Sequence, residues 1–191
     1  MQSARVPTDP TPRRRAGAGL AARRLLAWLV DWLCILGWVA LTAAIGVPLD
    51  LAGVLAPAGY ATLNVIGGVV VVLPVVLAAG WAESRPSGAT PGKRVLRLQV
   101  DAVGGPPSFR VALLRNIVKI GVPWLLGHAA VFAIVASSGT GGPVPVGVWL
   151  LTGAAYLMPI AWIVSLFVGG GRTPYDRICG TRVVAVGPEA G

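Results

Sequence analysis

The chain has 191 residues, 55% of them hydrophobic and 12% charged, and carries a formal net charge of +9. A soluble core of this length needs no such quantity of unbroken apolar sequence, so the composition argues for a membrane protein. The basic surplus does not argue for nucleic acid. Binding a nucleic acid calls for aromatics interleaved on a basic surface, whereas the seven tryptophans here belong mostly to apolar runs.

In chain order, residues 1–19 are rich in Pro, Arg and Ala and read as a disordered tail. The first apolar run, LLAWLVDWLCILGWVALTAAIG (Leu25–Gly46), is long enough to cross a bilayer, which takes about 20 residues. It contains Asp31, and a charge near the centre of such a helix costs about 2.5–3.5 kcal/mol to insert. Its length and this acid argue against a cleaved signal peptide. Arg23 and Arg24 lie just upstream. Arg24 and Asp31 are about two helical turns apart on one face, roughly 10 Å in depth. Helical side chains lean toward the N-terminus, so Asp31 is expected to look toward Arg24. Arg115 and Lys119, early in the third run, are the alternative partners, and Asp176 is expected to hold Arg24 or Arg94.

Further spans are expected at about 63–82, 112–136 and 147–168, following a first over about 25–46. The loop Ser137–Pro145 reads as a flexible turn, and Asp50 as a solvated loop residue. His128, the single histidine, falls in the third run and is expected to pack rather than carry protons. Cys34 and Cys179 are expected in different environments and suggest no disulfide. With no CxxC and one histidine, no metal cluster is expected.

The placement of charge supplies a topology. Six of sixteen basic residues precede the first run, seven lie between the second run and the beginning of the third, and three follow the fourth. None falls in Val47–Thr62 or Ser137–Val146. The positive-inside rule then puts both termini and the central loop in the cytoplasm. The basic residues also favour contact with anionic lipid headgroups.

Ser87–Gly104 and Gly170–Gly187 align at a constant offset of 83 (173 − 90), with Thr90/Thr173, Pro91/Pro174, Arg94/Arg177 and Val100/Val183 among the coincidences. Each copy follows a span and sets a Thr-Pro turn ahead of an arginine and a strand-like stretch. Leu96, Leu98 and Val100 alternate with Arg97, Gln99 and Asp101, the period of a half-exposed strand. These two cassettes, 87–104 and 170–187, are expected to pair as a small cytoplasmic sheet. The expected fold is therefore an all-α membrane protein of four transmembrane helices with a small cytoplasmic β element, over residues 20–187. The stretch Gly88–Arg94 only superficially resembles a phosphate-cradling loop. It has three residues between its glycines instead of four, and Arg94 follows Lys93 where Ser or Thr is needed.

Arg24-Leu-Leu-Ala-Trp-Leu-Val-Asp31, Thr90-Pro91-Gly92-Lys93-Arg94 and Asp176-Arg177 with Thr181-Arg-Val-Val184 together resemble the RDD family of bacterial membrane proteins. The resemblance covers about Ala22 to Val186. It implies an inner-membrane location and a triad at Arg24, Asp31 and Asp176. Family members commonly carry histidine before the later aspartate, where this chain has Tyr175. Some are implicated in sodium–proton exchange.

Two function classes follow. In one, Arg24, Asp31 and Asp176 clasp the helices to the cytoplasmic cassettes (Thr90, Pro91, Gly92, Lys93, Arg94, Thr173, Pro174, Arg177), making an assembly or interaction module. In the other, Asp31 is the protonatable site of a small transporter of monovalent cations or protons, which at this size is expected to work as a homo-oligomer. No nucleophile–base pair, paired carboxylates or cofactor motif points to an enzyme.

Overall fold

The computed structural model describes residues 11–55, 59–138 and 142–187. Four helices are long and apolar enough to cross a membrane, Gly19–Leu51, Ala61–Ser84, Phe109–Ser138 and Val146–Ser165. The first belongs to α1 (Thr11–Leu51), which begins well before the expected Leu25. The tail expected over 1–19 is thus helical from Thr11, and residues 1–10 lie outside the described residues. Ala and Arg are strong helix formers, and an existing helix extends at little cost through them. Ser137 and Ser138 close the third span rather than opening the turn expected there, and residues 139–141 lie outside the described residues.

The second and third spans share a construction. The second runs as α2 (Tyr60–Gly67), a π-helical turn (Gly68–Val72) and α3 (Leu73–Ser84). The third runs as α5 (Phe109–Asn116), a π-helical turn (Ile117–Gly121) and α6 (Val122–Ser138). Each π turn ends two residues before a proline, Pro74 or Pro123, and the intervening amide reaches five residues back, Leu73 to Gly68 and Val122 to Ile117. Proline has no N–H and frees the carbonyl four residues before it. For Pro74 that carbonyl belongs to Val70, and Trp38 Nε1 of α1 donates to it at 3.1 Å. A backbone group left open in lipid would cost several kcal/mol, so the tryptophan supplies what the proline removes.

Between the second and third spans lie α4 (Pro91–Val95) and β1 (Leu98–Asp101). After α7 (Val146–Ser165), the fourth span, come α8 (Pro174–Ile178) and β2 (Arg182–Ala185). The strands pair antiparallel in the register Leu98↔Ala185, Gln99↔Val184, Val100↔Val183 and Asp101↔Arg182. Val100 and Val183, the positions matched by the offset of 83, face each other across the ladder. Leu98, Val100 and Val183 are buried with Ala27 of α1, as the alternating pattern requires.

Helix α3 packs on α5, α6 on α7, and α4 lies along α1. A Cβ at Gly80 would come within 3.1 Å of Leu113 Cα, so the absence of a side chain sets how closely α3 approaches α5. The spans carry their large apolar side chains outward, and α7 buries none of its residues. Beside the small apolar cluster under the sheet, the same end of the bundle buries a group of polar side chains that includes Glu83, Lys93, Arg115, Asn116, Thr173, Asp176 and Thr181.

Candidate functional site

Six charged side chains at this end form a circuit of alternating sign whose two ends, Asp31 and Arg24, both lie on α1. Asp31 of α1 lies 3.9 Å from Lys93 Nζ on α4, and Lys93 reaches Glu83 of α3 at 2.8 Å. Glu83 accepts both 2.8 and 2.7 Å hydrogen bonds from Arg115 Nη1 on α5. Arg115 then reaches Asp176 of α8 through Nη2 at 2.8 Å and Nε at 3.1 Å. Asp176 links the circuit to its last member, Arg24 of α1, at 2.6 Å. Asn116 Nδ2 supports Glu83 at 2.8 Å, and Arg24 also donates to the Gly171 carbonyl. Each acid thus meets at least one cation, the condition under which buried charges are tolerated.

Asp31 does not pair with Arg24. The expectation rested on the seven-residue spacing, but two turns of helix leave about 10 Å between the α-carbons. Closer donors occupy the carboxylate, with Thr90 Oγ1 donating at 2.7 Å and Gly92 N at 2.8 Å. Thr90 is the N-cap of α4 and Pro91 its first residue. Asp31 therefore acts as an N-terminal cap delivered from another helix, where a carboxylate satisfies free amides and meets the positive end of the dipole. The approach is close enough that a Cβ at Gly92 would stand 2.0 Å from the Ala27 carbonyl oxygen. At the other end of α4, Arg23 Nε donates to the Leu96 carbonyl at 3.2 Å and Arg23 Nη2 to that of Arg97 at 3.0 Å. One helix, α1, thus holds both ends of α4.

In α8 the corresponding carboxylate is internal. Thr173 N donates to Asp176 Oδ2 at 3.3 Å, and Thr181 Oγ1 approaches Oδ1 at 3.5 Å. Burial pushes the Asp176 carboxyl up, but Arg115 and Arg24 more than offset this and hold it below its ordinary value. Tyr175 fills the position where the resemblance expects histidine. Its ring lies 5.1 Å beneath the Arg115 guanidinium and edge-on to Trp162 at 5.5 Å. Nearby, burial pushes the Cys179 thiol up, away from a reactive thiolate.

Of the expected site residues, Arg24, Asp31, Asp176, Thr90, Gly92, Lys93 and Thr173 converge here. Arg94 and Arg177 are exposed beyond the circuit, Arg94 donating to Ser87 Oγ at 3.3 Å. Arg115 belongs to the circuit through Glu83 and Asp176, not through Asp31. Glu83 and Asn116 go unread in sequence, as does the service of Arg23 to α4. Glu83 ends one apolar run and Arg115 opens the next, a complementary pair at matching depth, and that was the available signal. His128 accepts from Trp124 Nε1 at 2.7 Å and packs edge-on against Phe132. Among the described residues no group of His, Cys, Asp and Glu is placed to hold a metal ion.

Four apolar spans surrounding a buried alternating charge circuit define a polytopic membrane protein. The RDD family model matches residues 18–180, and the chain belongs to the RDD family. Neither a curated protein nor a solved structure matches it.

Proposed function

We propose that the circuit is a polar clasp that fixes two cytoplasmic cassettes against the membrane spans, and that the protein is a bacterial inner-membrane assembly or interaction module without catalytic turnover. The observation that carries this reading is the state of Asp31, which already accepts from Thr90 and Gly92 and faces Lys93. A transported cation or proton would have to displace the donors that hold α4 in place. The segregation of basic residues supports cytoplasmic termini and a cytoplasmic central loop. The exposed side chains of α7, Trp149, Leu150, Tyr156 and Leu157 among them, are available to lipid or to a second copy in a homo-oligomer.

Proteoliposomes carrying a sodium or pH gradient test this reading. Neither the wild type nor Asp31→Asn is expected to dissipate the gradient faster than empty vesicles. Sodium- or pH-dependent flux by the wild type that vanishes in a folded Asp31→Asn protein would replace the clasp by an exchanger.

A further inference from the structure

The clasp accounts for its own charges. Arg24, Lys93 and Arg115 balance Asp31, Glu83 and Asp176, three against three. One more cation, Lys119, stands beside them on the π turn of the third span. Among the described residues it has no hydrogen bond and no carboxylate within 4.0 Å. It lines a cavity of ≈ 300 Å³ whose walls come from α1, the third span and α7 and whose polar end is the clasp. That volume sits at the low end of small-molecule sites, roughly 300–1,000 Å³. The walls are largely aromatic and aliphatic: Trp32 and Trp124 stack at 5.5 Å, and Trp28, Ile35 and Trp162 continue the surface.

A lysine left over among membrane spans either gives up its proton or takes an anion that holds it charged. The one acid in the cavity wall, Asp31, is committed to α4 and Lys93. An apolar, tryptophan-lined chamber with a surplus positive charge at one end has the polarity of an anionic amphiphile, and its walls are spans surrounded by such molecules. We propose that this cavity binds one anionic membrane lipid, the headgroup meeting Lys119 and the upper acyl chain lying along Trp32 and Trp124. This site differs from diffuse headgroup attraction, because Lys119 lies inside the bundle. It rests on the charge balance of the clasp, but Lys119 forms no link of the circuit, so its substitution tests the lipid site without breaking the clasp.

Native mass spectrometry of the full chain in detergent, titrated with phosphatidylglycerol, phosphatidylcholine or inorganic phosphate, tests the proposal. One phosphatidylglycerol is expected to bind with a preference of about tenfold or more over phosphatidylcholine. Lys119→Gln should lose that preference, while Lys119→Arg keeps it. Arg110→Gln, which removes an exposed basic residue at the start of the same span, should also keep it. Because Lys119→Gln deletes an uncompensated charge, its melting temperature in neutral detergent should not fall. Equal loss of preference in Arg110→Gln would reduce the effect to surface attraction and overturn the proposal. So would an unchanged preference in Lys119→Gln, or binding of inorganic phosphate that blocks the lipid at equal concentration.

Discussion

The two Thr-Pro helices, α4 and α8, begin alike and are held differently. Both have threonine at the N-cap, proline next, and a short strand after them. In α8 the capping carboxylate, Asp176, lies within the helix it caps. In α4 the residue at that place is Lys93, and the carboxylate arrives from α1 as Asp31. The next-door position diverges in step, Gly92 in one and Tyr175 in the other. Gly92 leaves room for α1 to come close, whereas Tyr175 packs between Trp162 and Arg115. A helix carrying its own cap needs only to be docked, but one capped from outside exists in its present form only where the donor helix passes. The two arginines follow the same division, Arg23 serving α4 and Arg24 serving α8.

The largest effect should come from Asp176→Asn, which takes a counter-charge from both Arg24 and Arg115. Breaking a buried pair on one side costs about 3–5 kcal/mol, read as a loss of thermal stability in detergent. The same substitution should change the acid response. Asp176 sits below its ordinary value of 3.8, so its contribution is complete above that pH and is lost as pH falls through the lowered value. A melting curve followed downward in pH should therefore steepen in the wild type relative to Asp176→Asn. Equal acid limbs would mean that Asp176 is not held ionised by the arginines.

Gly92→Ala should act first on α4 and its contact with Asp31. The added methyl meets the Ala27 carbonyl and must push α4 off α1, at about 1–3 kcal/mol, the range for overpacking. Cysteines introduced at Gln99 and Val184, opposite each other across the ladder, should then crosslink less readily than in the parent. Unchanged crosslinking would show that the sheet holds α4 without α1. Arg24→Ala comes next, at about 2 kcal/mol for lost hydrogen bonds to a charged group, with Arg115 still facing Asp176. Asp31→Asn should be milder, about 1 kcal/mol, because the amide oxygen still accepts from Gly92 and Lys93 keeps Glu83. A greater loss for Asp31→Asn than for Arg24→Ala would reverse the comparison and make the external cap the stronger anchor. The smallest effect belongs to Arg182→Gln. Its pairing with Asp101 at 2.8 Å is exposed and worth under about 1 kcal/mol, so the melting temperature should barely move.

The spans were legible because about 20 apolar residues leave few alternatives, and the first strand because Leu98 and Val100 alternate with Arg97, Gln99 and Asp101, the second being matched to it by the offset of 83. The link between Arg24 and Asp176 was also legible, from charge and position. The partner of Asp31 was not, for a physical reason: periodicity ranks neighbours on the same helix, whereas the carboxylate is saturated by Thr90 and Gly92 from a turn some sixty residues away. Glu83 escaped notice for a related reason. A single acid at the end of an apolar run looks like an interfacial residue until Arg115 and Asn116 close over it. Nor does sequence announce that Pro74 and Pro123 would be absorbed by π turns rather than by kinks.

The circuit starts and finishes on α1, and its closing link joins residues 152 positions apart. A chain emerging from the ribosome carries Arg24 into the membrane early and must wait for Asp176 until the fourth span has been made. Until then Arg115 can satisfy Glu83 but has no second acid, and α8 has no anchor. The order of synthesis therefore makes the last link a closing one: until residue 176 is made, Arg24 has no acid to meet and Arg115 has only Glu83.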